Sequence, residues 1–317
     1  MGVRMLNRYL REYSSNAMRE IRLNELSDKK IAIDISIFMY QFKGNGKLLE
    51  SMYKMIMLFR RYRVIPVFVF DGTPPDEKLD ILNERDATKK EAKEICDQLE
   101  EKLASLDNDN DAERENLEKR LFNERKKCLR ITNANIREVK ALIEVLGVNY
   151  VLADGEADDL CFHMVKKRIV WACMTEDMDM FVYGCPRVLR NFNLEEGSMT
   201  LYSMGDILGS LKMTQTEFRD VCLLAGTDYN KGRFTIYTSM SMFYKYLKKR
   251  RNNVGFYDWL IYTKVINHDE KDRLSNSRSM FMKDKYNTVY KFTNKRILKE
   301  EVSSYMEKYK INYLINV

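Results

Sequence analysis

The stretch KKIAIDISIFMYQF (29–42) combines a buried strand with the start of a helix. Its apolar run at 31–33 is typical of a strand covered on both faces. Asp34 stands at the carboxyl end of that strand, and the segment behind it begins a helix. A strand that leads directly into a helix is the unit from which parallel sheets are built.

The same pattern returns three more times along the chain. VIPVFVFDG (64–72) is an apolar strand that ends at Asp71 and a glycine turn. GVNYVLADGEADDLC (147–161) and IVWACMTEDMD (169–179) are two further strands, each followed by acids and a helix start. Helical patterns such as 48–62 lie between the strands. We predict an α/β fold with a mostly parallel, twisted sheet flanked by helices.

Acidic residues follow each of these strands. In parallel sheets, ligands bind outside the carboxyl ends of the strands. We therefore expect these acids, which are far apart in sequence, to converge in space. The candidates are Asp34, Asp71, Glu156, Asp158, Asp177, Asp179 and, further on, Asp228 in LLAGTDYN.

The segment CMTEDMDMFVYG (173–184) sets Glu176, Asp177 and Asp179 between two apolar runs. Like charges that are close together and partly desolvated stay ionised only when something cationic sits among them. A Lys or Arg would serve, and so would a metal ion. Any single acid here could instead be a helix N-cap or a turn residue.

Clustered carboxylates suit Mg²⁺ or Mn²⁺ and not zinc. The chain has only two histidines and no C-x-x-C pair among its six cysteines, which disfavours a zinc site and a disulfide framework. Two divalent ions can activate water and stabilise the leaving oxygen in phosphodiester cleavage. A phosphatase-like or purely structural acid cluster would have a similar sequence pattern.

Residues 79–130 are dense in both charges and poor in apolar residues. The spacing of Ile95, Leu99 and Leu103, and then of Leu117 and Leu121, gives one thin apolar stripe on each of two helices. LDNDND (106–111) separates them with turn-forming residues. We predict two helices that lean on each other away from the core; a solvated insertion with no role is the alternative.

The charge of the chain is unevenly distributed. The whole chain carries +7, and the tail, 231–317, holds 19 Lys and Arg against 8 Asp and Glu, so the remainder is net acidic. A basic tail together with an acidic sheet edge is typical of a protein that binds a phosphate backbone with one region and cations with another. No apolar run is long enough to span a bilayer, and no signal-peptide pattern is present. We expect an intracellular protein of the nucleus or cytoplasm.

Taken in order, the acidic motifs resemble the flap endonuclease family of structure-specific 5′ nucleases. The opening MGV, AIDISIFMYQF and PVFVFDGTPPDEKLDILNER are similar to the family's N-terminal motifs, with Asp71, Lys78 and Arg85 in register. DGEADDLC resembles its E-A-E-A motif, with Asp158 at the second Glu and Asp159 at the following Ala. TEDMDMFVYG and LLAGTDY resemble the last two motifs.

The resemblance implies a PIN-like 5′-nuclease fold and a role for each matching residue. The seven carboxylates would hold two Mg²⁺ ions, with Mn²⁺ as a possible substitute. Lys78 and Arg85 would neutralise the scissile phosphate. Residues 79–130 would form a helical arch for a single-stranded 5′ end. The implied DNA contacts are Gly2 as the processed N-terminus, Tyr40 stacking on a base, and Lys126, Lys127 and Arg130 on flap phosphates.

The chain departs from that family after the G-T-D-Y motif. Thr235, Ile236 and Tyr237 occupy the place of a G-x-G loop that binds duplex backbone and often K⁺, so the close approach that glycine permits is not expected, and K⁺ binding stays open. YKYLKKRR could still clamp phosphates through Lys248, Lys249, Arg250 and Arg251. We find no Q-x-x-[ILM]-x-x-[FY]-[FY] sliding-clamp peptide before the final INYLINV.

These features together predict a nuclease core at 1–230 that includes the arch, and a basic, helical DNA-binding region at 231–317. The expected activity is two-metal-ion cleavage of branched or nicked DNA with a 5′ flap, with 5′→3′ exonuclease activity, in DNA replication, repair and recombination. A Holliday-junction resolvase or a processive 5′→3′ exonuclease is the alternative within the family. A non-catalytic DNA-binding protein is the alternative outside it.

Overall fold

The computed structural model describes residues 2–73, 79–105, 111–249, 254–282, 292 and 297–311. A 7-stranded sheet in the order β1-β7-β6-β5-β2-β3-β4 runs through it. The strands are β1 Met18–Arg22, β2 Lys30–Asp34, β3 Ile65–Phe70, β4 Asn149–Leu152, β5 Ala172–Met174, β6 Arg187–Asn193 and β7 Ser198–Ser203. The helices are α1 Leu6–Tyr13, α2 Ile35–Gly44, α3 Leu48–Arg61, α4 Leu79–Ser105, α5 Asp111–Lys127, α6 Asn133–Val145, α7 Ala157–Lys166, α8 Asp179–Tyr183, α9 Met204–Leu211, α10 Gln215–Ala225, α11 Ile236–Lys249, α12 Phe256–Tyr262, α13 His268–Met280 and α14 Lys299–Lys308.

The middle of the sheet is parallel, as the strand–helix alternation predicts. β2 lies between β3 and β5, β3 also pairs with β4, and β5 also pairs with β6, all in parallel. β7 pairs antiparallel with β6 and with β1, which forms the far edge. The four strands that precede the acids are therefore neighbours, and their carboxyl ends share one edge of the sheet.

Helices cover both faces of the sheet, and the strands alternate their side chains between two cores. Ala32 and Val67 face a core built with α1, α7, α8 and α10 to α12. Ile31, Ile33 and Phe68 face the opposite core, built with α2, α3, α6 and α14. This two-sided burial explains why these strands are continuous apolar runs in the sequence.

Helices α4 and α5 form the pair that the sequence predicts at 79–130. Among the side chains that the structure describes, four buried ones make a small cluster of their own, separate from both cores: Cys96, Leu99, Leu117 and Leu121. The turn predicted at 106–111 falls, apart from Asp111, outside the described residues. Lys43 of α2 anchors the returning chain, because its Nζ donates to the carbonyl oxygen of Arg130 and to Asn135 Oδ1, both at 2.6 Å.

The described part of the tail is helical and packs against the rest of the chain. α11 and α12 join the core on the α10 side, and Val302, Tyr305 and Met306 of α14 join the core on the α6 side. The hydroxyl of Tyr305 donates to the carbonyl oxygen of Glu138 at 2.7 Å. The domain boundary at residue 230 stays a prediction. No helix in the described ranges is both long and apolar enough to cross a membrane.

We expect Phe68→Ala to destabilise the protein by about 3–5 kcal/mol, because the ring is fully buried at the centre of the sheet and its loss leaves a cavity. Urea denaturation measures the change in the free energy of unfolding. Tyr262→Ala is the matched control: this ring is 85% exposed, so its removal should change stability by no more than about 0.5 kcal/mol. Equal effects would mean that Phe68 is not part of the core.

Candidate active site

The fold brings the predicted carboxylates to one edge of the sheet. Asp34 and Asp71 stand at or just after the carboxyl ends of β2 and β3. The remaining five follow β4, β5 and α10: Glu156 and Asp158 at the start of α7, Asp177 and Asp179 at the start of α8, and Asp228 behind α10. Residues up to 194 positions apart therefore share one small region, as the strand order requires.

Short polar side chains link the acids of β2 and β3. The backbone N–H of Ser36 donates to Asp34 Oδ1 at 3.1 Å, and the hydroxyl of Ser36 donates to Asp71. Directly after the neighbouring strand β5, Thr175 Oγ1 donates to Asp34 Oδ2 at 3.0 Å. Each donor stabilises a carboxylate by a hydrogen bond to its charged form. Thr175 is fully buried, and nothing in the sequence pattern singled it out.

Asp71 also ties β3 to the beginning of α7. Its Oδ1 accepts the backbone N–H of Ala157 at 2.9 Å. The two chain segments touch here: a Cβ on Gly72 would lie 2.0 Å from the carbonyl oxygen of Ala153, and Gly72 N–H donates to the carbonyl oxygen of Gly155 at 2.7 Å. Only glycine permits this approach, so Gly72 keeps Asp71 beside α7.

A second hydrogen-bonded group joins Asp177, Asp179 and Asp228. The backbone N–H of Asp179 donates to Asp177 Oδ1 at 2.9 Å, and that of Asp228 donates to Asp179 Oδ2 at 3.2 Å. Gly2 N–H donates to Asp228 Oδ1 at 3.3 Å. A Cβ on Gly2 would fall 2.4 Å from Asp177 Oδ1, and Gly2 has φ +75°, so the N-terminal segment contacts the acids only because it carries glycine here.

Helix α10 holds α8, the short helix that begins with Asp179. Gln215 Nε2 donates to the carbonyl oxygens of Phe181 and Val182 at 3.1 Å. Arg219, which is buried, donates from Nε to the carbonyl oxygen of Val182 at 2.9 Å. The last carbonyls of α8 have no intrahelical partners of their own, so these donors satisfy them. α10 thus positions Asp179 at one end and leads to Asp228 at the other.

Glu156 has an aromatic partner that sequence reasoning missed. The hydroxyl of Tyr229 donates to Glu156 Oε2, and the hydroxyls of Tyr229 and Tyr183 are 3.1 Å apart. Phe281, at the end of α13, packs edge-on against both rings. Burial and the charge of Glu156 raise the pKa of Tyr229, which keeps its hydroxyl a donor. In the sequence, the only signal for Tyr229 is its position directly after Asp228.

Burial and neighbouring charge raise the pKa of Asp34. Its side chain is 5% exposed, and burial, followed by the charge of Asp71, raises its pKa to about 7 despite the donors Thr175 and Ser36. Within the described ranges, no group of three or more His, Cys, Asp or Glu side chains is drawn together closely enough to form a ready-made metal cluster. The side chains nevertheless fit a hard cation, because the acids supply only oxygen ligands. A positive ion nearby would also offset the burial and like charge that oppose ionisation of Asp34.

Glu176 belongs to a different interaction. Its carboxylate forms an ion pair with Arg190 at 3.2 Å and accepts the backbone N–H of Asn191. Arg190 Nη2 also donates to the carbonyl oxygen of Glu176 at 2.9 Å. The sequence left open whether an arginine or a metal ion sits among the three acids of 176–179. For Glu176, the cation is the buried Arg190 of β6.

The predicted phosphate-steering residues are only partly described. Lys78 lies outside the described residues; Arg85 lies within α4 and Lys126 within α5, but their side chains are outside them too. Lys127 pairs with Glu124 at 2.6 Å, and Arg130 approaches Asp86 of α4 at 3.7 Å. The roles of these five cations stay predictions.

The remaining predicted DNA contacts lie on α2 and α11. Tyr40 is 40% exposed on α2, the helix that begins directly after Asp34. Lys248 and Lys249 are exposed in the last turn of α11, whereas Arg250 and Arg251 lie outside the described residues. Both described groups are free to meet a large ligand, and their roles stay predictions.

The loop behind Asp228 uses glycine at positions that the expected G-x-G does not occupy. A Cβ on Gly232 would lie 1.9 Å from the carbonyl oxygen of Ala225, so Gly232 lets the loop fold back onto α10. Thr235 Oγ1 instead accepts the N–H of Thr238 at 3.2 Å in the first turn of α11, and Tyr237 donates to Glu12 at 2.7 Å. K⁺ binding at this loop stays open.

The raised pKa of Asp34 predicts a pH-dependent stability in chelator. The folded carboxyl keeps its proton up to about pH 7, whereas an ordinary aspartate loses it near 3.8. The folded state therefore binds more protons between these values, and stability falls as pH rises through that window. Asp34→Asn removes this loss, and at pH 8 in EDTA we expect the variant to be more stable by about 2 kcal/mol in urea denaturation.

If Asp34 holds Mg²⁺, the ion should stabilise the wild-type chain more than the variant, because one of the proposed ligand charges is gone. Asp206→Asn, at an exposed position in the first turn of α9, is the control and should follow the wild type at every pH. If Asp34→Asn and wild type show the same pH dependence of stability in EDTA, burial and the charge of Asp71 do not raise the pKa of Asp34.

Two family descriptions match the chain where these residues lie. The XPG N-terminal domain matches residues 1–92, and the XPG I-region matches residues 147–228. The first range contains Gly2, Asp34 and Asp71. The second contains every other carboxylate of the group, from Glu156 to Asp228. Most of α4 and α5 lies between the two ranges.

Relatives over much of the chain carry the name flap endonuclease 1. The protein from Encephalitozoon cuniculi is 34% identical over 246 residues, which cover 72% of this chain and 68% of that protein. The one from Trypanosoma cruzi is 32% identical, over 72% of this chain and 61% of its own length. The one from Enterocytozoon bieneusi is 29% identical over 96% of this chain and 84% of its own length.

Solved structures share the fold at low sequence identity. The catalytic core of Rad2 in complex with DNA substrate has a TM-score of 0.66 and 20% identity, over 97% of this chain and 94% of that chain. Human GEN1 in complex with Holliday junction DNA has a TM-score of 0.64 and 19% identity, over 98% of this chain and 74% of that one. At these identities the likeness concerns the fold.

Proposed function

Because the chain belongs to the flap endonuclease family of 5′ nucleases, we propose that it hydrolyses phosphodiester bonds in branched DNA that carries a 5′ flap. The observation that supports this most is the hydrogen-bonded row of carboxylates at the ends of four neighbouring parallel strands. DNA replication and repair are the processes that generate such substrates. A 5′→3′ exonuclease activity on nicked ends would use the same acids.

The carboxylates would hold two divalent ions, Mg²⁺ by preference because every donor is an oxygen. Such ions, when bound, supply an activated water and stabilise the leaving oxygen. The residues proposed to hold them are Asp34, Asp71, Glu156, Asp158, Asp177, Asp179 and Asp228. The chain's own task is to keep these like charges in place.

Neutral donors hold the proposed ligands without competing for the cations. Ser36 and Thr175 orient Asp34 and Asp71, and Tyr229 orients Glu156 while keeping its proton. Backbone N–H groups orient the acids at the start of α8. A Lys or Arg in any of these places would neutralise a carboxylate and reduce its affinity for Mg²⁺. The choice of uncharged donors therefore supports a cation-binding role.

Helices α4 and α5 would enclose the single-stranded 5′ end. They rise from the same edge of the sheet as the acids, since α4 follows β3 and Asp71 in the chain. Lys78 and Arg85 stand at the beginning of this segment in sequence, and we propose that they neutralise the scissile phosphate. Tyr40 would stack on a base beside the cleaved bond.

The exposed lysines at the end of α11 would hold the duplex. Lys245, Lys248 and Lys249 are exposed on a helix that lies beyond Asp228 in the chain, within the most basic part of the sequence. Binding through phosphates does not depend on sequence and weakens steeply with salt. This arrangement suits an enzyme that recognises the shape of a DNA junction and not its bases.

A junction resolvase or an exonuclease would share the acids and differ in the arch. The long helices α4 and α5 favour flap cleavage. Cleavage of one matched panel (flap, nicked duplex, four-way junction, RNA-primed end) under a single set of conditions separates these activities. Faster cleavage of the four-way junction than of the flap would favour a junction resolvase. No cleavage of any substrate in Mg²⁺ would favour a non-catalytic DNA-binding protein.

We expect Asp179→Ala to abolish flap cleavage in Mg²⁺ and to leave DNA binding within a few-fold, because the lost carboxylate would hold a cation and not the DNA itself. Single-turnover cleavage and a binding titration measure the two quantities. Asp206→Ala is the matched control: Asp206 occupies the first turn of α9 as Asp179 does that of α8, but it is exposed, and it follows β7, which runs antiparallel to the strands that the acids follow and so ends at the opposite edge of the sheet. Normal turnover by Asp179→Ala would remove this residue from the proposed metal site.

The arch predicts that the order of addition matters for a blocked flap. A bulky protein bound to the 5′ end before the enzyme is added should slow cleavage strongly, because the end cannot enter between the helices. The same block added after the enzyme has bound should have little effect. Cleavage of the pre-blocked flap at the rate of an open one would show that the strand does not pass through an enclosed arch.

A further inference from the structure

Two cysteines face each other across the helix pair α4–α5. Cys96 is in the middle of α4 and Cys128 directly follows α5; their Sγ atoms are 3.8 Å apart. A disulfide needs an S–S separation of about 2.05 Å, so side-chain rotation and a small adjustment of the helices would close the gap. The two residues are 32 positions apart in sequence, and only the packing of the helices brings them together.

The contacts on either side of the pair keep the two thiols in register. On one side, Arg125 forms an ion pair with Glu100 at 2.8 Å. On the other side, Arg130 approaches Asp86 at 3.7 Å. Leu103 and Leu121 continue the apolar contact beyond the first ion pair. The facing positions of the thiols are thus set by cross-helix contacts above and below them.

The other four cysteines are fully buried in the core on the α7 and α10 side: Cys161, Cys173, Cys185 and Cys222. Cys161 and Cys173 also interact through their side chains, but no solvent reaches them. Cys128 is half-buried, and the cluster around it is small. The pair at the arch is therefore a thiol pair that an oxidant can reach without unfolding the core.

We propose that Cys96 and Cys128 form a reversible disulfide that fastens α4 to the end of α5. A hydroperoxide is the oxidant. The Cys128 thiolate attacks its outer oxygen and becomes a sulfenic acid as the O–O bond breaks and an alcohol, or water from hydrogen peroxide, departs. Cys96 sulfur then attacks the sulfenic sulfur, and the displaced hydroxide leaves as water with the Cys96 proton. Two thiols are oxidised and one hydroperoxide is reduced.

The environments of the two thiols favour this order. Burial and the neighbouring Cys128 raise the pKa of Cys96 to about 11, so Cys96 stays protonated at neutral pH. The half-buried Cys128 is the one that an oxidant meets first. Cys96 then needs only to reach a sulfur that is already within van der Waals contact.

The disulfide would restrain helices that are otherwise weakly joined. The seam between α4 and α5 has only a few buried apolar side chains among its described residues, so the helices separate at little free-energy cost. The cross-link removes that freedom. This consequence rests on the proposed function: if the helices must part to admit or release a 5′ strand, oxidation slows repeated cleavage.

The cross-link itself is tested without any nuclease assay. The folded chain is treated with hydrogen peroxide, alkylated and digested with trypsin, which yields Cys96 in residues 94–102 and Cys128 in residues 128–130. We expect one disulfide-linked species that joins these two peptides and disappears on reduction, with the four core cysteines alkylated only after denaturation. Cys96→Ser and Cys128→Ser should each abolish the species. Its absence from the wild-type digest, or linkage of either cysteine to another partner, would overturn the proposal.

Flap cleavage then tests the consequence. Oxidised wild-type protein should turn over several-fold more slowly than reduced protein, with dithiothreitol restoring the rate, whereas Cys128→Ser should be insensitive to peroxide. An unchanged rate in a sample shown to be cross-linked would overturn the restraint on the helices. A reduced wild-type protein that cuts no flap would instead count against the proposed function, and the peptide linkage would still decide the disulfide.

Discussion

Mutual repulsion among carboxylates is the constraint around which this structure is organised. Seven acids lie along one sheet edge, and three of them, Asp34, Asp177 and Asp179, are buried there, so their charges oppose folding unless they are stabilised. The chain answers with uncharged donors: hydroxyls of Ser36, Thr175 and Tyr229, and backbone N–H groups at the starts of α7 and α8. These donors hold the acids in place without adding a positive charge of their own, so a cation could still bind at this edge.

Each support of the acids also joins two parts of the fold. Asp71 links β3 to α7, Asp228 links the N-terminal segment to the end of α10, and Glu156 links α7 to the aromatic group of Tyr229 and Phe281. Phe281 comes from α13, so the tail contributes to the surroundings of the acidic edge. The positions of the acids therefore depend on how the helices pack. A substitution in α10 or α13 can displace the acids through α8 or Tyr229.

Stability is distributed unevenly between the core and the arch. Both faces of the sheet are sealed by large apolar clusters, whereas the described side chains of α4 and α5 share a small one, supplemented by exposed ion pairs that contribute little each. Regions with few buried contacts open at low free energy. A well-packed sheet beside a helix pair with few described apolar contacts fits the proposed function, in which the sheet edge holds cations and the helices admit a DNA strand.

The sequence by itself determined the layout. Apolar runs followed by acids at 29–42, 64–72, 147–161 and 169–179 predict parallel strands with a polar edge, because both strand burial and the direction of the chain are local properties. The sparse apolar stripe at 79–130 likewise predicts the separate helix pair. The strands β1, β6 and β7 are not predicted by the sequence. For β1 the reason is that its partner β7 lies up to 184 positions away in the chain, whereas β6 and β7 are a local hairpin that the pattern of apolar runs followed by acids does not detect.

Only the tertiary structure decided which groups touch. Gly2 against Asp177, Tyr229 against Glu156, Arg190 against Glu176 and Cys96 against Cys128 are contacts between distant parts of the chain, and no local pattern encodes them. Residue type alone could not tell that Glu176 pairs with an arginine while its neighbours at 177 and 179 turn towards the edge. That choice follows from strand order, because β6 brings Arg190 beside β5, and strand order is a property of the whole fold.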